Sequence, residues 1–400
     1  MPRHFRLLSL CILAYICSGT VSMLMSVYLP SVVRDLLGNV DPDTMSRVGP
    51  YLNASYLAGM TIGGLLVGML SDRFGRVNML VLSALVCGLF TLAASGAHDW
   101  VMVAVFRAMS GVGVAGILLT CAVLISEQWP LKSRAVAQGV LGVAFPVGIV
   151  LSGGLNVLFA DWREAFLVGF APIGVAVLVL VLIKEGKKEV SKTAHDSPLK
   201  SLFSPQNRQK LLTGSIVYGF DLIGLWAIFS WMPTWVDSLI GGGEQAGEMR
   251  GITMMLLGMG GMIGTGLSGF LVNRLGLRLT LLSNFVGTLV ICAVLFLTNA
   301  EFSSLVLVET ALLSLFFGIS QGALTVYVTE LFPTEVRATG TGFCFNIGRV
   351  FTTSAVFFVG SLVVALGGYS NAMLAFSGAF AVAWIVLFFD KRGSNVKSLD

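Results

Sequence analysis

Runs of about twenty apolar residues recur along this whole chain, and each is long enough to cross the hydrocarbon core of a bilayer as a helix. Inside lipid every backbone N–H and C=O must be satisfied within the structure itself, which leaves helices or a closed barrel. A barrel would show short segments of alternating polarity, and none are seen. Composition agrees, since 56% of the 400 residues are hydrophobic and 12% charged, too few polar groups to cover a soluble surface. No polar stretch is long enough for a separate soluble domain. The chain is read as an all-α, multi-span membrane protein, and its net charge of +4 reflects membrane orientation rather than nucleic-acid binding.

Twelve transmembrane helices are expected, at 7–31, 50–70, 78–97, 101–124, 135–158 and 165–183, then 211–236, 251–272, 279–298, 304–328, 338–365 and 370–389. The opening Arg3 and Arg6 with the apolar run after them resemble a signal peptide, but the apolar character continues to Val33, so a retained first helix is the better reading. Residues 184–210, polar and lysine-rich, form the one long linker, dividing a six-helix bundle at 1–183 from a second at 211–400. With both termini inside, nineteen of the 25 Lys and Arg residues fall on cytoplasmic segments. Only Arg34, Arg47, Arg163 and Arg250 fall outside, while Arg107 and Arg349 lie within spans. That asymmetry sets orientation and supports an even number of spans.

The halves repeat. Glu127, Pro130, Arg134, Ala135 and Gly139 match Glu330, Pro333, Arg337, Ala338 and Gly342 at one fixed offset, and Gly59, Gly63, Gly68 and Gly75 match Gly260, Gly264, Gly269 and Gly276 at nearly the same offset. Glycines spaced as in Gly59-x-x-x-Gly63 allow close helix approach, either as fixed packing or as a surface on which helices slide. The stretch Gly68-Met-Leu-Ser-Asp72-Arg73-Phe-Gly75-Arg76 is a tight, charged loop between two spans, with a weaker copy at Gly269–Arg278. It resembles the signature loop between helices two and three of the major facilitator superfamily of secondary transporters. The resemblance implies two parallel six-helix repeats with substrate held between them near the midplane. It also implies a cytoplasmic gate network drawn from Asp72, Arg73, Arg76, the pair Glu127/Arg134 and the pair Glu330/Arg337.

Several chemistries are excluded. All six cysteines fall inside apolar runs with no CxxC pair, and the three histidines lie in a terminus or loops. No histidine proton relay, metal site of ordinary spacing or Ser-His-Asp constellation can be assembled, and no phosphate-binding GxxxxGK[ST] loop is present. No cofactor is expected, and neither an enzyme nor an ATP-driven pump.

Four ionisable residues lie well inside spans: Arg107, Asp221, Glu309 and Arg349. A charge at the bilayer centre costs at least about 2.5–3.5 kcal/mol, so each needs a partner or a water-filled cavity. At a rise of 1.5 Å per residue, Asp221 and Arg349 lie roughly 15–18 Å from the cytoplasmic ends of their helices, and Arg107 and Glu309 roughly 6–10 Å in from the outer face. The third, sixth, ninth and twelfth spans carry no ionisable residue between their ends and look lipid-facing. In the superfamily the first, fourth, seventh and tenth helices line the cavity and the second, fifth, eighth and eleventh flank it, so the resemblance places all four charges, on spans four, seven, ten and eleven, where they could meet water or substrate.

Arg107-Ala-Met-Ser-Gly-Val-Gly113 resembles the fourth-helix motif of the superfamily, in which the arginine serves proton coupling or cavity hydrogen bonding; the alternative is a buried arginine bonded to backbone carbonyls. Phe145-Pro-Val-Gly148, followed by Gly153-Gly154, loosely resembles the fifth-helix motif of antiporters, though a Pro/Gly kink explains it as well. Thr329–Arg349 resembles the metabolite:proton symporter branch, whose members carry organic anions, and the seventh helix with Trp226, Trp231, Pro233 and Trp235 fits the same branch. Asn346 and Arg349 share a helix face, and arginine presents a donor fork suited to a carboxylate.

The expectation is a monomeric, proton-coupled importer of a small organic anion, a carboxylate, in a bacterial inner membrane. Arg349, Asn346, Arg107 and Trp226 would bind substrate. Asp221 or Glu309 would carry the proton, since a carboxyl in an apolar cavity favours its neutral form. The alternatives are a proton-driven exporter and a receptor that binds without transporting.

Overall fold

The computed structural model describes residues 3–38, 42–130, 133–183, 202–333 and 336–390. Among these residues it contains helices and turns and no strand. Eleven helices are long and apolar enough to cross a membrane, and a bent pair makes a twelfth span. In chain order the first half is α1 (Arg3–Leu37), α2 (Pro42–Phe74), α3 (Arg76–Ser95), α4 (Trp100–Gln128), α5 (Arg134–Leu158) and α6 (Trp162–Leu182). The second is α7 (Pro205–Ile240), α8 (Gly243–Leu275), α9 (Leu277–Thr298), α10 (Ser304–Glu330), α11 (Arg337–Phe357 continued by Val359–Leu366) and α12 (Tyr369–Phe389). Most of the expected linker, 184–201, lies outside the described residues, but α7 begins six residues earlier than expected. Ser204 precedes its first turn and Pro205 occupies it, where a missing N–H costs nothing. Several helices overshoot the expected spans, because hydropathy marks the length in lipid and backbone bonding continues beyond it.

Two departures lie inside spans. The eleventh, expected as one helix, bends by 43° at Phe358, whose N–H bonds to the Ala355 carbonyl in a tightened turn. The sixth is interrupted by a 3₁₀ turn at Leu167–Gly169.

The repeat extends to tertiary detail. α2 and α3 are separated by a single residue, Gly75 (φ 94, ψ 153), and α8 and α9 by Gly276 (φ 80, ψ 154), a conformation essentially closed to residues with a side chain. Gly59 and Gly63 pack on the backbone of Ala108 and Val112 in α4, and Gly260 and Gly264 on that of Ala311 and Leu315 in α10. The glycine ridges therefore fix packing inside each half and are not the surface on which the halves meet.

The halves meet chiefly through α5 against α8 and α2 against α11. At one end these seams are closed: Gly153 faces the Gly251 carbonyl, Gly258 faces Val150, and Gly360 lies under Ser46 and Pro50. At the other end, toward the start of α1 and the end of α12, a Cβ on Gly139 or Gly142 of α5, or on Gly266 or Gly269 of α8, would meet nothing within 4 Å. The interface is sealed at the face opposite the termini and parted at the terminal face.

Candidate functional site

Midway along the α2–α11 seam the contact becomes polar. Thr61 of α2 and Thr353 of α11 bond hydroxyl to hydroxyl at 3.3 Å. Beside them lies a small, partly open cleft, lined by Leu57 and Met60 of α2, Trp226 of α7, and Arg349, Thr352 and Thr353 of α11. The structure thus brings Arg349 and Trp226 together. Thr352 and Thr353 direct their hydroxyl hydrogens to the Gly348 and Arg349 carbonyls, 2.8 Å in each case. The guanidinium of Arg349 has no carboxylate within ion-pair range among the described residues. Asn346, one turn earlier, donates from Nδ2 to the Gly342 carbonyl at 2.9 Å, and its Oδ1 is buried without a partner. Asn346 Oδ1 and Arg349 Nη1 lean on the same α2 residue, Gly64.

Asp221 lies on α7 close to where α7 and α11 cross backbone to backbone at Gly219 and Gly348. It is fully buried. Oδ2 accepts from Gln321 Nε2 of α10 at 2.6 Å, and Oδ1 has no hydrogen-bond partner among the described residues. Tyr218, a turn earlier, stacks on Phe345 of α11 at 4.3 Å.

The other two intramembrane charges are engaged within their own halves. Arg107 is 2% exposed and donates to the Val21 and Ser22 carbonyls of α1 at 2.7 and 3.2 Å. Its guanidinium lies 4.2 Å from the centre of the Tyr56 ring, and Tyr56 in turn bonds to Ser22 through its hydroxyl. This is the backbone-bonded arrangement. Glu309 accepts from Asn299 Nδ2 at 2.7 Å, closing the α9–α10 corner at the face opposite the termini.

The expected gate residues cluster at the terminal face. Glu127 engages Arg76 at 3.4 Å, and Arg76 also bonds to Ser71 at 2.7 Å. Arg134 and Arg337 hold equivalent posts, each donating to the carbonyl five residues back, Trp129 at 3.4 Å and Phe332 at 3.2 Å. Arg73 lies over the Phe74 ring at 5.6 Å. In the second half Leu277 stands where the repeat has Arg76, and Glu330 Oε2 is buried without a hydrogen bond among the described residues. The side chain of Asp72 lies outside the described residues.

Sequence reasoning missed three groups. Gln321 is an amide in an apolar helix and was legible as such, but a search for charges passes over it. Arg250, counted as an outer-loop charge, lies within α8 at 5% exposure. It pairs with Asp237 of α7 at 2.8 Å and reaches across to Ser31 of α1 at 3.0 Å, at the sealed end of the interface. Gly64 carried no signal apart from its neighbour Gly63.

A family model described as the Major Facilitator Superfamily matches residues 11–355. The cis,cis-muconate transport protein of Acinetobacter baylyi is 27% identical, covering 84% of this chain and 82% of its own length. A probable 4-methylmuconolactone transporter of Cupriavidus pinatubonensis is 29% identical, covering 89% and 85%. The fold is also that of the xylose transporter of E. coli in an inward-open conformation, with a TM-score of 0.80 at 14% identity, covering 99% of this chain and 98% of that one. The chain is a membrane transporter and belongs to the major facilitator superfamily.

Proposed function

We propose that this transporter carries a small organic anion, a carboxylate with an apolar, unsaturated or aromatic body, in symport with protons. The observation that carries the reading is Arg349: a guanidinium in a cleft between the halves, without a carboxylate in range among the described residues. A guanidinium at that depth needs a partner or water; that of Arg107 finds carbonyls and a ring, whereas that of Arg349 faces the cleft, and its planar fork matches a carboxylate. Leu57, Met60 and Trp226 offer an apolar wall for the rest of the molecule. The related muconate and methylmuconolactone transporters favour the same substrate chemistry.

Asp221 is the proposed proton carrier, because its Oδ1 is buried and accepts no hydrogen bond among the described residues. Glu309 ranks second, being already engaged by Asn299. Arg107 acts through the geometry of α1 rather than by direct contact. The bundles 1–183 and 211–400 rock about the cleft. The terminal face, parted here, is the cytoplasmic one, set in a bacterial inner membrane with both termini inside. Asp72, Arg73, Arg76, Glu127, Arg134, Glu330 and Arg337 close it when the halves rock over, and a single copy suffices for transport.

The test is uptake of labelled cis,cis-muconate and 4-hydroxybenzoate into proteoliposomes. An outside-acid pH gradient should drive accumulation of at least one of them above equilibrium, and dissipating the gradient should stop it. Equilibration that ignores the gradient would reject proton symport, and absence of any flux would reject the substrate class.

A further inference from the structure

Gly63 and Gly64 are adjacent in α2, but a helix turns about 100° per residue, so they face different neighbours. A Cβ on Gly63 would strike the backbone of Val112 in α4, inside the first half. A Cβ on Gly64 would stand 3.2 Å from Asn346 Oδ1 and 3.3 Å from Arg349 Nη1, both on α11 of the other half. Among the described residues, and apart from the backbone of α2 itself, no other heavy atom lies within 4 Å of it. The repeat that preserves Gly63 as Gly264 does not preserve Gly64: Thr265 stands in its place, donating its hydroxyl to the Gly318 carbonyl at 3.3 Å.

We infer that Gly64 is a positioning residue for substrate recognition: the bare backbone of α2 is the surface against which the Arg349 fork and the Asn346 carbonyl are set. This rests on the organic-anion reading above. The contact is tight enough that a methyl group there displaces the guanidinium by a few tenths of an ångström, since the backbone of α2 cannot retreat from α4. Oriented recognition is sensitive to shifts on that scale. The same methyl raises helix propensity and removes freedom from the unfolded chain, so the fold itself gains or is unchanged. Stability held and affinity lost together mark a residue that positions the site, whereas a packing glycine loses both.

The experiment compares full-length, purified wild type with Gly64→Ala, Gly64→Val, Gly63→Ala and the control Gly174→Ala, whose Cβ meets nothing within 4 Å. Binding of 4-hydroxybenzoate and cis,cis-muconate is measured by calorimetry, melting temperature by thermal unfolding, and KM and maximal rate by uptake. Gly64→Ala should weaken binding about tenfold and raise KM with melting temperature preserved, and Gly64→Val should weaken it further. Gly63→Ala should lower the melting temperature, and Gly174→Ala should change neither. Wild-type affinity in Gly64→Ala overturns the inference alone, as does a loss of affinity matched by a fall in melting temperature. If wild type binds neither acid, the organic-anion reading falls and takes the inference with it.

Discussion

Arg107 and Arg349 are both arginines held inside the bilayer, one in each half, and they solve the same problem in opposite ways. Arg107 is satisfied within its own half by two α1 carbonyls and the face of Tyr56. Arg349 stands at the seam with Asn346 and Gly64 beside it and no carboxylate in range among the described residues. A guanidinium tied to backbone carbonyls is part of the scaffold, because removing it unties helices. One that faces a cleft without an anion is available to a ligand. The repeat fixes the backbone of both halves, and the proposed substrate site lies where the second half departs from it, at Arg349.

Substituting the two arginines should separate these roles. Arg349→Ala should lower uptake of 4-hydroxybenzoate by about a hundredfold or more, the scale set by losing a charge-assisted donor fork, while the melting temperature is preserved. Arg107→Ala should instead destabilise the first half by about 2–3 kcal/mol through loss of charged hydrogen bonds and the ring contact, read as a lowered unfolding midpoint. Equal thermal destabilisation of both variants would break the distinction.

The sealed end of the interface sharpens it further. Arg250 pairs with Asp237 inside the second half and bonds to Ser31 in the first. Ser31→Ala removes only the bridging leg, worth about 1 kcal/mol or somewhat more to the closed end. Labelling of a cysteine placed at Asn156, buried on α5 beside Gly251 of α8, should rise several-fold in that variant, from a shift in population of that size. Unchanged labelling would make the Ser31 contact incidental. The smallest effect is expected at the terminal face, where Arg76→Leu copies the Leu277 of the second half. Because the Arg76–Glu127 pair is half-exposed, the loss of stability should stay below about 1 kcal/mol. A larger loss would mean that the pair holds the first half together.

Much of the fold was legible because bilayer physics acts through hydropathy alone. Span number and the repeat follow from residue type and spacing; the loops expected at 68–76 and 269–278 shrink to the single glycines Gly75 and Gly276, because helical bonding runs past the apolar stretch on both sides. The bend at Phe358 was not legible, since the Gly360-Ser361 that follows it is one of many glycines in apolar runs and what sets this one apart is its packing against Ser46 and Pro50 of α2. At the site, Arg349 and Asp221 announced themselves as charges in lipid. Their surroundings did not: Gln321 is uncharged, Gly64 reads like Gly63, and the Arg250–Asp237 pair joins two helix ends that sequence assigns to the membrane surface. Which partner an intramembrane charge finds is a tertiary fact, and the identical residue type at 107 and 349 shows how far two outcomes can diverge.

The central claim is that Arg349 binds the carboxylate of the transported anion. The most direct measurement is calorimetric titration of 4-hydroxybenzoate and cis,cis-muconate into purified wild type and Arg349→Ala. Wild type should bind at least one acid saturably, and Arg349→Ala should show no measurable binding of it at an unchanged melting temperature. Binding to the alanine variant with wild-type affinity would contradict the claim and leave Arg349 a structural residue.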